Sequence, residues 1–209
     1  RLGRAARPDP GGHPARAAAR AAAAMRVLLS GFQPFGGRKT NASWELARAA
    51  GLLAVRLPVE YGRAWPVLES LIGDFKPDAV VALGECPGKD FRLERTAVNL
   101  RGSPAPDNLG KKTAGEPLCA KGPAAYLSAL PLERIGRALA RRRIPSRVSL
   151  CAGTYLCNEV FYYLMRAHAR RPFPGGAGFI HVPRNAPRAW PGALTAVLSA
   201  LKSGRPRRS

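Results

Sequence analysis

Residues 78–85, DAVVALGE, hold five consecutive apolar residues between an aspartate and a glycine. A run this short and without alternation reads as a strand buried on both faces, which happens when helices cover both sides of a largely parallel sheet. The pattern recurs. MRVLLSGF (25–32), LLAVRLPV (52–59), RVSLCAGT (147–154) and GAGFIHVP (176–183) read as further strands. Between and after them, SWELARAAG (43–51), RAWPVLESLIGDF (63–75), LERIGRALARRR (132–143), CNEVFYYLMRAHARR (157–171) and WPGALTAVLSALK (190–202) read as helices. Ser43 is the predicted N-cap of the first helix, Gly51 its stop, and Pro66 fits the first turn of the second. Strands alternating with helices predict an α/β fold: a three-layer α/β/α sandwich around a largely parallel (mixed), twisted sheet, in a single domain. Residues 86–130 have weak periodicity and many Gly, Pro and Asn, so they are expected as a long loop, a feature compact domains keep for function.

The 209-residue chain can bury a sizeable core without disulfides or metals. Its formal charge of +21 suggests an anionic partner, but much of that charge sits at the ends. Residues 1–24 hold five Arg against one Asp, and residues 202–209 hold four basic residues and no acid. Without these, 25 basic and 12 acidic residues remain, a charge of +13, and the longest basic run is Arg141–Arg143. Such a run is the pattern of a helix C-terminus, not of a specific nucleic-acid site. The predicted layout is an Ala/Arg-rich extension over 1–24 (disordered or not native), a folded body over 25–201 and a basic tail over 202–209. No stretch approaches a membrane span. Cys86, Cys119, Cys151 and Cys157 show neither CxxC nor CxxxH spacing, so no metal site is expected, and cytoplasmic localisation is the default.

Parallel strands present functional groups at their carboxyl ends. Three such ends carry chemistry-bearing segments: SGFQPFGG, CAGTYLCN and FIHVP. Cys157 is placed at a predicted helix start, where the partial positive charge of the amides favours a thiolate and the same N–H groups can receive an oxyanion. His181, at another strand end, suits a general base, and a carboxylate would be needed to orient it. Each residue alone also fits a structural role, since buried free cysteine is common. Cys151 is expected mid-strand in the core, and Cys86 and Cys119 in loops without a base.

Six segments in order, GFQPFGGRKTNASWELA, LERTAVN, PDNLG, GPAAYLSALPLERI, AGTYLCNEVFYYL and GFIHVP, together resemble the pyroglutamyl peptidase I (pyrrolidone-carboxylate peptidase) family over about residues 25–201. The resemblance implies a cytosolic cysteine peptidase that removes an N-terminal pyroglutamate from peptides. It further implies no metal or cofactor, and a homo-oligomer, dimer or tetramer. It places the nucleophile on Cys157, the base on His181 and the orienting carboxylate on Glu94. Pyroglutamate is a flat, uncharged lactam, and an apolar pocket with a few placed hydrogen bonds suits it. The resemblance assigns that pocket to Phe32, Phe35, Asn41, Glu85, Tyr155 and Leu156.

Three positions depart from the family pattern. Glu85 stands where Gln is usual, in a stretch one residue shorter; Pro104 replaces an Arg associated with oxyanion stabilisation; and Glu159 replaces the His of CNH. Arg101, three residues before Pro104, is the nearest candidate to substitute for the missing Arg. The competing reading is a catalytically weakened or inactive α/β module that binds an anionic partner. A nucleoside phosphorylase-like enzyme would need a phosphate site of Arg and Ser, for which the sequence carries no signature.

Overall fold

The computed structural model describes residues 25–185 and 187–202. The 1–24 extension and the tail from 203 onward lie outside the described residues. The chain runs β1 (Val27–Phe32), α1 (Ala42–Arg48), β2 (Leu53–Leu57), α2 (Ala64–Phe75), β3 (Ala79–Cys86), β4 (Phe91–Glu94), β5 (Thr96–Val98), β6 (Arg101–Ser103), β7 (Thr113–Glu116), β8 (Ala125–Leu127), α3 (Leu132–Arg141), β9 (Ser146–Ser149), α4 (Leu156–Arg170), β10 (Ala177–Pro183), a 3-10 turn (Pro187–Ala189) and α5 (Trp190–Lys202).

The central sheet has the order β2-β1-β3-β10-β4-β9. The four strands from β2 to β10 are mutually parallel, β4 runs antiparallel to β10, and β9 is parallel to β4. Period-two alternation sends the apolar runs to both faces. Leu29, Val81, Leu83, Ile180 and Val182 pack with Leu46, Ile135, Leu139 and Val197 from α1, α3 and α5. Leu28, Phe32, Val80, Ala82 and Phe179 pack with Leu68, Val160, Phe161 and Leu164 from α2 and α4. All six residues of β1 and all seven of β10 are buried, so both faces of these strands are covered. Each fully buried aliphatic side chain contributes about 1.5–3 kcal/mol. This is the predicted α/β/α sandwich.

Several local expectations need correction. The first helix is capped by Asn41, whose Oδ1 accepts from the Ser43 N–H at 3.0 Å; the helix ends at Arg48, before Gly51. Ser43 instead turns its hydroxyl to the sheet and accepts from the Phe32 N–H at 2.9 Å. The segment 86–130 is not one loop. It contains β4 and two small antiparallel ribbons, β5–β8 and β6–β7. Strands of three or four residues are too short to show a period. Cys151 is exposed beyond the end of β9, and Cys86 is the buried last residue of β3, where burial pushes its thiol up to about 11.

The direction of β9 also differs from expectation. It runs opposite to β1, β3 and β10, so its carboxyl end does not open on the same edge as theirs. Residues 150–155 carry the chain back. Gly153 takes φ +82°, a conformation that L side chains resist, and the Thr154 carbonyl accepts from the Gly102 N–H at 3.0 Å. That return places the start of α4 over β3.

Candidate active site

The site begins with strand register. In the antiparallel β4–β10 pair, Glu94 lies opposite Phe179 and Arg92 opposite His181. Glu94 and His181 are therefore diagonal neighbours on one face, within reach of long side chains. His181 Nδ1 donates to Glu94 Oε1 at 2.7 Å, and both residues are buried. The other Glu94 oxygen has no hydrogen-bond partner among the described residues.

Cys157 meets this pair from the other direction. It is the second residue of α4, whose N-cap, Tyr155, makes no side-chain capping bond. The Tyr155 carbonyl takes the N–H groups of Asn158 and Glu159, while those of Leu156 and Cys157 make no backbone hydrogen bond among the described residues. Two amides and the helix dipole thus remain directed at the region before the helix. The thiol sits directly over Gly84 of β3. A Cβ built there would lie 2.8 Å from Cys157 Sγ and 2.7 Å from Phe179 Cζ. Gly84→Ala is therefore expected to displace the sulfur and lower kcat/KM about 100-fold, a cost typical of misplacing a reacting group by roughly 1 Å. An unchanged far-ultraviolet circular dichroism spectrum would show that the fold survives.

Burial disfavours a charged imidazole at His181, but the adjacent Cys157 sulfur and the Glu94 carboxylate outweigh it. Together they push His181 from the ordinary 6.5 up to about 9. A thiol at a helix N-terminus, beside an imidazole whose far nitrogen is held by a buried carboxylate, is an arrangement for nucleophilic attack on a carbonyl.

Glu159, two residues after Cys157, is buried, yet its charge is balanced. Oε1 accepts from the Gly62 N–H at 2.7 Å, and Oε2 pairs with Arg101 Nη1 at 3.4 Å. Arg101 also pairs with Glu116 at 3.2 Å and lies over the Tyr61 ring. The guanidinium is thus held by these two carboxylates. Its partners are those of a counter-ion for Glu159, not of a substitute for the missing Arg.

A cavity of ≈ 170 Å³ opens beside the thiol, lined by Phe32, Phe35, Asn41, Val59, Glu85, Ala152, Tyr155, Leu156, Cys157 and His181. All six residues assigned to the pocket from sequence line it, and Val59 and Ala152 complete it. Phe32 closes β1 and is buried with the core, while Phe35 stands in the loop after it and meets the Tyr155 ring at 6.2 Å. The Tyr155 hydroxyl donates to the Pro106 carbonyl at 2.9 Å. Asn41 spends its amide on the loop: besides its bonds to Ser43, Nδ2 donates to the Gln33 carbonyl at 3.1 Å. Alternation along β3 turns Gly84 toward Cys157 and Glu85 toward α1. The Glu85 carboxylate accepts from the Ala42 N–H at 2.7 Å and pairs with Arg38 and Arg184, each at 2.8 Å.

Three supporting features escaped the reading of the sequence. Gly84 reads in the sequence only as the residue that closes an apolar run. Asn158 fills its whole side chain with the backbone of Val98 and Leu100, tying the β5–β6 segment to the first turn of α4. Asp107 accepts the N–H groups of Tyr61, Leu109 and Lys111, and Asn108 bonds Pro34 and Val59. The PDNLG segment is thereby a clamp between loops, a role its turn composition could have signalled.

Comparison with known proteins agrees with this geometry. The family model described as pyroglutamyl peptidase matches residues 25–190. A pyrrolidone-carboxylate peptidase of Pyrococcus furiosus is 40% identical over 168 residues, covering 76% of this chain and 81% of its own. One from Chromobacterium violaceum is 41% identical over 166 residues, covering 75% and 77%. Among solved structures, pyroglutamyl peptidase I of Bacillus amyloliquefaciens superposes with a TM-score of 0.80 at 30% identity, covering 86% of this chain and 98% of its own. A point mutant of the Pyrococcus furiosus pyrrolidone carboxyl peptidase gives 0.80 at 33%, covering 86% and 99%. With a family match over most of its length and relatives of this similarity, the chain belongs to the pyroglutamyl peptidase family.

Proposed function

We propose that the chain is a cysteine exopeptidase that hydrolyses the amide bond after an N-terminal pyroglutamate of peptides, the activity that names its relatives. The observation that carries this reading is the position of Cys157: at the bare N-terminus of α4, beside the Glu94–His181 pair, and on the wall of the cavity. The Cys157 thiolate attacks the pyroglutamyl carbonyl carbon, and the oxygen takes up charge facing the N–H groups of Leu156 and Cys157. His181, as imidazolium, gives its proton to the leaving nitrogen as the C–N bond breaks, leaving a thioester on Cys157. Water then attacks the thioester while His181 accepts its proton. The C–S bond breaks, pyroglutamate leaves and the thiolate returns. Glu94 accepts from Nδ1 throughout and holds the ring in the productive tautomer.

Phe32, Phe35, Tyr155 and Leu156 supply apolar walls for the lactam, and Asn41 fixes the loop that carries Phe35. At Glu85 the side chain is occupied by Ala42, Arg38 and Arg184, which leaves its main chain for hydrogen bonds to the ring. The chemistry calls for no cofactor. The four cysteines are free, the state a reducing cytoplasm maintains, and we place the activity there. No helix among the described residues is long and apolar enough to cross a membrane. We assign the activity to residues 25–201 and infer a homo-oligomer from the family resemblance. Val148 and Leu150, exposed on and just beyond the edge strand β9, offer apolar surface for such assembly. The alternative of an inactive module finds no support in the relatives above.

Steady-state release of pyroglutamate from pyroglutamyl-alanine amide tests the reading. Release is expected, with none from prolyl-alanine amide, which lacks the lactam carbonyl. Equal hydrolysis of both, or of neither, would overturn it.

A further inference from the structure

The carboxylate of Glu85 is held by more positive charge than it can neutralise. Arg38 Nη1 and Arg184 Nε both reach the same oxygen, Oε1, at 2.8 Å, and the Ala42 N–H holds Oε2. Two guanidinium groups against one carboxylate leave one positive charge. The Glu85 side chain is buried, while that of Arg38 is partly exposed and that of Arg184 exposed, so the excess faces solvent. The Arg38 side chain is 28% exposed and that of Arg184 42%, so both guanidinium groups can be reached from solvent.

This cluster borders the substrate cavity. Glu85 lines the cavity, and the Arg38 guanidinium lies 4.3 Å from the centroid of the Phe35 ring, another lining residue. Stacking on Phe35 and pairing with Glu85 hold Arg38 in one orientation, which lowers the entropic cost of using it. Arg184 follows His181 by three residues at the end of β10, the strand whose imidazole must protonate the leaving amine. The lactam itself is uncharged, so it has no use for this charge. The peptide that follows it does.

We propose that Arg38 and Arg184 form a carboxylate-accepting rim that makes the enzyme favour pyroglutamyl peptides with an acidic side chain immediately after pyroglutamate. The inference rests on the peptidase reading above. Arg38 and Arg184 each present the solvent-facing part of a guanidinium, and Glu85 keeps the two from separating. Arginines held in place gain more from a carboxylate than mobile surface lysines, and Arg matches its planar geometry.

The test compares pyroglutamyl-glutamyl amide with pyroglutamyl-glutaminyl amide, which share a shape and differ in charge, at low ionic strength. The expected kcat/KM ratio is roughly fivefold in favour of glutamate, the scale of a partly exposed ion pair. It should arise in KM and fall toward one in ~0.5 M salt, as screening requires. In the Arg38→Gln, Arg184→Gln double variant the ratio should be near one. Because the ratio is taken within each enzyme, any general loss of activity or stability cancels. A wild-type ratio of one, with both amides cleaved, overturns the rim and leaves the peptidase reading standing. A ratio that survives in the double variant also overturns it. Cleavage of neither amide by the wild type overturns both.

Discussion

Cys157→Ala is expected to lower pyroglutamate release by about 10⁶-fold in kcat, the order seen when the nucleophile of a cooperating triad is removed. The effect is large because no other group can take its place. Cys86 is buried at the end of β3 and its thiol is held up at about 11, while Cys151 is exposed beyond β9 with no imidazole described beside it. Substrate should still bind, since the cavity walls are intact, so the loss should fall in kcat. Rapid-quench kinetics with a pyroglutamyl amide, together with binding of free pyroglutamate, would separate the two. A variant that retains more than about one part in a thousand of the wild-type kcat would move the nucleophile elsewhere.

Glu94→Gln is expected to cost about 10³–10⁴-fold in kcat with little change in shape. The amide is nearly isosteric, but its neutral oxygen no longer stabilises imidazolium, and a flipped amide donates to Nδ1 and enforces the wrong tautomer. The same substitution should change the pH profile. In the proposed mechanism the working acid is His181 imidazolium, so activity should fall as pH rises through about 9. Burial opposes this charge and Cys157 and Glu94 favour it. Removing Glu94 should therefore shift the alkaline limb to lower pH. The stability consequence has the same sign. A folded-state value above the ordinary 6.5 stabilises the native state fully below 6.5, and the contribution is lost as pH rises through about 9. Melting temperature should decline over that window in the wild type and less in Glu94→Gln. A limb unmoved by the substitution would contradict the role given to Glu94.

The layers of the fold were legible because β1, β3 and β10 are buried on both faces and have to be apolar throughout. Cys157 and His181 were legible for a related reason, since each stands where an apolar run gives way to polar chemistry. Glu94 was not selectable from the residues themselves. It was one of twelve carboxylates in the body of the chain, and only its β4–β10 register brings it to a histidine 87 residues away. A four-residue strand carries too little periodicity to announce that pairing, and the family resemblance supplied it instead. Gly84 was invisible for the opposite reason: it sits in a strand like any other small residue, and its meaning lies in a sulfur that packs on it from α4. The direction of β9 was misread because burial patterns carry no sign of strand polarity. The charge of Glu159, two residues after Cys157, is balanced by Arg101 and the Gly62 N–H, partners that sequence spacing does not pair.

The thioester on Cys157 can be sought directly. Wild-type enzyme turning over a pyroglutamyl amide is quenched in acid, digested and mapped by mass spectrometry. A pyroglutamyl group on the peptide containing Cys157, and absent when Cys157→Ala is treated in the same way, is the expected result. Sustained release of pyroglutamate with Cys157 unmodified throughout, or with the label on another residue, would contradict it.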